Sequence, residues 1–151
     1  MINMNCAIRP MTISDYDAVL RLWQASEGIG LNESDDRKNI ALFLERNPGL
    51  SRVAADGTRI LGALLCGHDG RRGYLHHLAV AAAHRRQGLG RRLVESCLAD
   101  LARLGILKCN IFLFGDNAAG EAFWRQLGWG NRPDLQMMQV ALPGRQPTGC
   151  C

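Results

Sequence analysis

Leu78-Ala79-Val80-Ala81-Ala82-Ala83-His84-Arg85-Arg86-Gln87-Gly88-Leu89-Gly90-Arg91-Arg92-Leu93 decides the reading of this chain. A β-favouring, apolar stretch ends at Val80, and a short turn follows. A glycine pair among four arginines then opens an amphipathic helix. A helix N-terminus presents unpaired backbone N–H groups and partial positive charge, which suits an anion. Gly88 and Gly90 remove Cβ atoms that would hold a bulky phosphate off those groups. Arg85, Arg86, Arg91 and Arg92 add charge and donors matched to phosphate oxygens. The run Arg85, Arg86, Gln87, Gly88, Leu89, Gly90, Arg91 therefore reads as a pyrophosphate cradle.

Two common nucleotide motifs do not fit. The dinucleotide fingerprint needs a third glycine where Leu93 stands, and the Gly-Lys-Ser/Thr of a P-loop is absent. What fits is Arg/Gln-x-x-Gly-x-Gly/Ala, five residues after a strand ending Leu-x-Val, with Arg85, Gly88 and Gly90 at the defined positions. This resembles the coenzyme A motif of the GNAT superfamily of N-acetyltransferases. A second stretch resembles the same family: Asn117, Phe123, Gly128 and the aromatic Trp129 match its Asn-x-x-Ala-x-x-Phe-Tyr-x-x-x-Gly-Phe pattern. Gly120 stands in place of the usual alanine and Trp124 in place of the usual tyrosine. The resemblance runs from Ile8 to about Leu142, specific at the two motifs and loose before Leu50.

The composition is compatible. The 151 residues make one domain able to bury a core without staples. Hydrophobic content is 47% and charged content 21%, ordinary for a globular protein, and no apolar run reaches the length of a membrane span. No basic-then-apolar N-terminal segment reads as a secretory signal, so a cytoplasmic location is expected. The six cysteines form no C-x-x-C pair, so neither a metal site nor a redox motif is expected. Cys66, Cys97 and Cys109 are expected in the core. The net charge of +4 lies largely between Arg71 and Arg92. Without basic–aromatic interleaving, an anionic cofactor explains that patch better than nucleic acid does.

Along the chain, Cys6 to Pro10 reads as a strand. A helix follows, with Tyr16, Val19, Leu20, Leu22 and Trp23 on its face. Ser26 to Asp36 reads as a loop, with Asp35 capping a second helix that Pro48-Gly49 ends. Leu50–Ala55, Ile60–Cys66 and Tyr74–Val80 read as strands, the first two joined through Asp56-Gly57. Gly88 to Leu104 is predicted helical and stopped by Gly105. A strand over Lys108–Phe114, a helix over Asn117–Leu127, a last strand over Leu135–Leu142 and a loose tail from Gly144 complete the prediction. The domain thus runs from 1 to 143. An antiparallel meander followed by a β-α-β unit makes an α/β (α+β) domain, with a mixed, mostly antiparallel central sheet flanked by helices. That is the GNAT order.

The resemblance implies a site. Acetyl-CoA would lie between the strands ending at Val80 and Phe114. Backbone groups of Leu78, Ala79 and Val80 would pair with the pantetheine arm as an added strand would. The N–H groups of Arg86 to Arg91 would hold the pyrophosphate, and Asn117 would hydrogen-bond the pantetheine or its phosphate end. Phe123 has two readings, packing along the cofactor or plain core. An amine would attack the thioester directly. A free amine of pKa ~10.4 is over three units from neutrality, about 4.6 kcal/mol, so the site must desolvate the amine or offer a base. His76, placed on the same strand face as Leu78 and Val80, is the candidate base, or a hydrogen-bonded structural histidine. It resembles a histidine of serotonin N-acetyltransferase. His77, taken to face the other side, is the weaker candidate. Trp124 stands where many GNAT enzymes have a tyrosine acid, and an indole N–H donates a hydrogen bond without transferring a proton. Tyr74 is a possible substitute without a placement. Glu27, Glu33, Asp35 and Asp36 cluster around the loop that in this family covers the acceptor, where acidic groups attract a cation. Glu33 could act as a water-mediated base.

The expected function is acetyl-CoA-dependent transfer to a primary amine, on a small molecule or on a protein N-terminus or lysine. The alternative is a catalytically weak acyl-CoA-binding sensor, which Trp124 favours and His76 opposes. No nucleic acid or membrane partner is expected, and exposed strand edges allow a homodimer.

Overall fold

The computed structural model describes residues 5–144. Five strands form one sheet in the order β1-β2-β3-β4-β5. They are β1 (Cys6–Pro10), β2 (Arg52–Asp56), β3 (Arg59–His68), β4 (Gly73–Val80) and β5 (Cys109–Ile111). Each of the first four pairs antiparallel with the next, and β5 joins β4 in parallel. Helices α1 (Tyr16–Gln24) and α2 (Arg37–Arg46) pack on one face, and α3 (Leu89–Arg103) and α4 (Ala118–Gln126) on the other. The expected mixed, mostly antiparallel sheet flanked by helices is what the chain builds. Among the described residues no helix is long and apolar enough to cross a membrane.

Side-chain alternation sorts two cores. Val53, Ala63 and Leu65 meet Val19, Trp23 and Ile40 of α1 and α2. Ala54, Leu64, Cys66 and Leu75 meet Leu93, Val94, Cys97 and Trp124 of α3 and α4. Cys66 and Cys97 are buried and Cys109 is half-buried. Gly57 (φ 59°) turns the β2–β3 hairpin, and Gly105 (φ 83°) follows the end of α3.

Three expectations change. The strand expected to reach Phe114 ends at Ile111, because its parallel pairing with β4 covers only Gly73–Leu75 against Cys109–Ile111. Leu135–Leu142 is not a strand; it has no ladder partner, and Leu135, Met137, Met138, Val140 and Leu142 are exposed. Asp35 does not cap α2: Asp36 is the N-cap, and the Asp35 carboxylate accepts instead from the Asn32 N–H at 3.2 Å. Beyond Gly144 the expected tail lies outside the described residues.

Candidate active site

The short β4–β5 ladder is what creates the site. Past Leu75 and Ile111 the two strands no longer pair, and a cleft of about 710 Å³ opens between them. Twelve of the expected cofactor residues line it: Leu78, Ala79, Val80, Arg85, Arg86, Gly88, Leu89, Gly90, Arg91, Asn117, Phe123 and Trp124. Gln87 does not, and neither does Glu33, which lies exposed in the turn Glu33–Asp35.

A β-bulge shapes the wall. Ala63 pairs with Ala79 but Leu65 pairs with His76, so His77 and Leu78 together oppose Leu64. His77 adopts φ 56°, unusual for a residue with a Cβ. The extra residue resets the alternation. His76 faces α1 and α2 beside Leu65, while Leu78 and Val80 pack on the α3 side. His76 therefore does not share a face with Leu78 and Val80. His77 does not face away either: its ring lies edge-on to Trp23 of α1, 5.0 Å between centroids.

The cradle has the features an anion requires. Arg86 (φ 60°) and Gly88 (φ 82°) take left-handed conformations that turn the loop into the start of α3. The first turn of α3 leaves the N–H groups of Leu89, Gly90 and Arg91 without i−4 acceptors. A Cβ on Gly88 would project into open space beside them. Arg85 braces the loop, donating from Nε to the carbonyl of Val80 at 3.1 Å. Gly90 also serves helix packing. A Cβ there would meet the Phe123 ring at 3.2 Å, so this glycine lets α4 approach α3. Phe123 lines the cleft and packs against the core cluster.

Asn117 caps α4, accepting from the Gly120 N–H at 2.9 Å. A Cβ at position 120 would sit 2.4 Å from its amide nitrogen, which accounts for the glycine where alanine is usual. The loop after α1 closes over the cleft: Gly28 lies against Asn117 and Gly30 against Phe114, both too close for a Cβ. That loop brings Glu27 into the lining. Trp124 is only 7% exposed, edge-on to Phe123 and Trp129 at 5.3 and 4.9 Å. Tyr74 lines a neighbouring groove of about 560 Å³ rather than this cleft.

His76 and His77 both line the cleft, in different surroundings. His76 sits among rings, stacked with Tyr74 and Phe112 at 6.3 and 6.5 Å and edge-on to Phe43 at 6.2 Å. Burial there, with the neighbouring His77, pushes its pKa below the usual histidine value, against a smaller pull from Asp35. His77 instead holds the Asp35 carboxylate, Nε2 to Oδ1 at 2.8 Å. Sequence reasoning missed this pair, since 42 residues separate its members. Burial pushes the Cys109 thiol up to about 12, and hydrogen bonding to Cys66 with burial raises that of Cys97.

The Acetyltransferase (GNAT) family matches residues 16–129. An acetyltransferase of Sodalis glossinidius is 28% identical over 120 residues, 80% of this chain and 84% of that protein. One of Yersinia enterocolitica is 27% identical over 130 residues, covering 86% and 92%. The fold is shared by the PaiA N-acetyltransferase of Thermoplasma acidophilum, solved in complex with coenzyme A. Its TM-score is 0.73 at 17% identity, with 82% and 89% covered. The ribosomal-protein-S18-alanine N-acetyltransferase of Escherichia coli shares it at TM-score 0.68 and 22% identity, with 82% and 76% covered. With three quarters of its length matched and its cleft and cradle where the two motifs lie, this chain belongs to the GNAT acetyltransferase family, whose members use acetyl-CoA.

Proposed function

We propose that this protein transfers the acetyl group of acetyl-CoA to a primary amine by direct attack. The amine belongs to a small molecule or to a protein N-terminus or lysine. The observation that carries this reading is the unpaired gap between β4 and β5, opening directly onto the Gly88 cradle. The N–H groups of Leu89 to Arg91 and the arginines 85, 86 and 91 would hold the pyrophosphate. The backbone of Leu78 to Val80 would receive the pantetheine as β5 receives β4 lower down. Asn117, whose oxygen caps α4, would offer its amide N–H₂ to the pantetheine or its phosphate end. Acetyl-CoA supplies an activated thioester. The chain's task is to align an amine with it, exclude water and take a proton. Glu27 at the mouth attracts a cationic acceptor. His76, His77 and His84 all line the cleft, and His76 is the one the family resemblance points to.

The experiment is chromatographic detection of free coenzyme A released from acetyl-CoA with polyamines, aminoglycosides, amino acids and peptides. Release stimulated by one acceptor class supports the reading and names the substrate. Thermal protection by acetyl-CoA without release from any amine supports the second reading, an acyl-CoA-binding sensor. That reading draws on Trp124, which is sunk in the core where the family often has a tyrosine acid. The cysteines buried as thiols fit a cytoplasmic protein. The open edge of β5 beside the exposed segment 135–142 fits pairing with a second copy.

A further inference from the structure

We infer that His77, oriented by the carboxylate of Asp35, is the group that takes the proton from the incoming amine. This rests on the acetyl-transfer reading of the cleft.

Four observations converge on His77. It is the bulge residue of β4, at the point where β4 leaves β5 and the cleft begins. A bulge re-aims a side chain, and left-handed backbone at a non-glycine persists only where the surroundings hold it. Here they do: the Trp23 Nε1–H donates to the His77 carbonyl at 3.2 Å, and the Trp23 ring packs against the imidazole. Asp35 then fixes the ring, taking Nε2 at 2.8 Å. The carboxylate is itself held, accepting from the Asn32 N–H, while the Asp35 carbonyl accepts from the buried Tyr16 hydroxyl at 2.7 Å. With Nε2–H committed to Asp35, Nδ1 is the nitrogen left to accept a proton.

His76 offers no comparable place for a charge. Among the described residues its ring contacts are Phe43, Tyr74 and Phe112. An imidazolium formed there would lie among aromatic side chains without a hydrogen-bonded carboxylate, whereas one formed at His77 lies against Asp35. His76 stands on the face of β4 that meets Phe43 of α2.

The step balances without a further reagent. The ammonium form of the acceptor loses one proton to His77 Nδ1. The freed lone pair forms the C–N bond to the acetyl carbon, the C–S bond breaks, and sulfur leaves with the electron pair as thiolate. The adduct nitrogen still carries a second ammonium proton, which passes to the thiolate as the amide forms, and the proton on His77 passes to solvent. The groups that set the titration are His76 on β4, Tyr16 on α1, Glu27 after it, and Glu33, Asp35 and Asp36 before α2.

The test compares wild type with His77→Asn, Asp35→Asn and His76→Phe. Asparagine tolerates the left-handed backbone at 77, and at 35 it can still accept from Asn32. The first readout needs no acceptor: NMR titration of the imidazole nitrogens with acetyl-CoA bound. The expected result is a His77 ring whose neutral form carries its proton on Nε2 in wild type and loses that preference in Asp35→Asn. A His77 ring that carries its proton on Nδ1 in wild type overturns the inference. The second readout is the pH dependence of kcat with the best amine. His77→Asn should lower kcat about 10²-fold and erase the acidic limb while cofactor affinity holds. Asp35→Asn should move that limb to lower pH, and His76→Phe should change KM and keep the limb. A limb lost in His76→Phe and kept in His77→Asn assigns the base to His76 and overturns the inference alone. Acetyl-CoA bound with no amine acetylated by wild type overturns the transferase reading, and the base with it.

Discussion

Gly88 and Gly90 stand two residues apart and answer different needs. Gly88 has left-handed backbone and empty space beyond its Cα; Gly90 has ordinary helical backbone and Phe123 against it. Gly88→Val should therefore fill the space meant for phosphate. Acetyl-CoA affinity by calorimetry should fall at least about a hundredfold, or ~2.8 kcal/mol, and an unchanged affinity would remove the cradle assignment. Gly90→Ala should mainly displace Phe123 and lower the melting temperature, with a smaller loss of affinity. His76 makes a separate prediction from its depressed pKa. Its neutral form is favoured in the fold, so above about pH 6.5 the group adds no pH dependence. As pH falls through that value the unfolded chain protonates first and stability drops, until the folded ring protonates too. Denaturant titrations should show this loss in wild type and a smaller one in His76→Phe; equal slopes would mean that the ring is solvated. Residue types make the histidines and the glycine–arginine run plain in the sequence. They did not tell which face each histidine took, because one extra residue in β4 reverses the parity and His77 carries no glycine to announce it.

At the scale of elements, the junction of β1 with α1 is built on one carboxylate. Asp15 accepts from Arg9 Nη1 and Nη2, both at 2.8 Å, and from the Thr12 N–H at 2.9 Å. Hydrogen bonding to Arg9 holds its carboxyl below the usual range, against the opposing effect of burial. The stabilisation is thus complete above the unfolded pKa, near 3.9, and is lost as pH falls through the lower folded value. Asp15→Asn should cost about 1–2 kcal/mol at neutral pH, discounted because Arg9 is 39% exposed in its side chain. It should also flatten the acid limb of the stability curve; an unchanged limb would show that Asp15 is not its source. Elements with strong local signals were legible. The amphipathic α1 and α3, the glycine after α3 and the Asp56-Gly57 hairpin follow from residues close in sequence. Strands at the right-hand edge of the sheet were not. Lys108–Phe114 and Leu135–Leu142 have strand-like composition, but a strand needs a neighbour. The divergence that makes the cleft also deprives Phe112 to Phe114 of the β4 ladder.

Over the whole molecule, that divergence leaves one edge of the sheet short. β5 is an edge of three residues, with Phe112 and Phe114 each 57% exposed beside it. The same chain carries Met138, Val140 and Leu142, 79–90% exposed and free of any ladder. An unpaired edge is a template for another strand, and exposed apolar side chains give such a strand something to bury. Because edge and segment belong to one chain, two copies can satisfy each other through a two-fold axis, which makes the contact isologous and closed. Sedimentation velocity should therefore show a dimer, and Val140→Lys with Leu142→Lys should give monomer with the acetyl-CoA affinity retained, since neither residue lines the cleft. Hydrogen exchange separates the rival arrangement. Protection of residues 138–142 in a wild type that sediments as monomer would mean that the segment pairs with its own β5, and the dimer would fall.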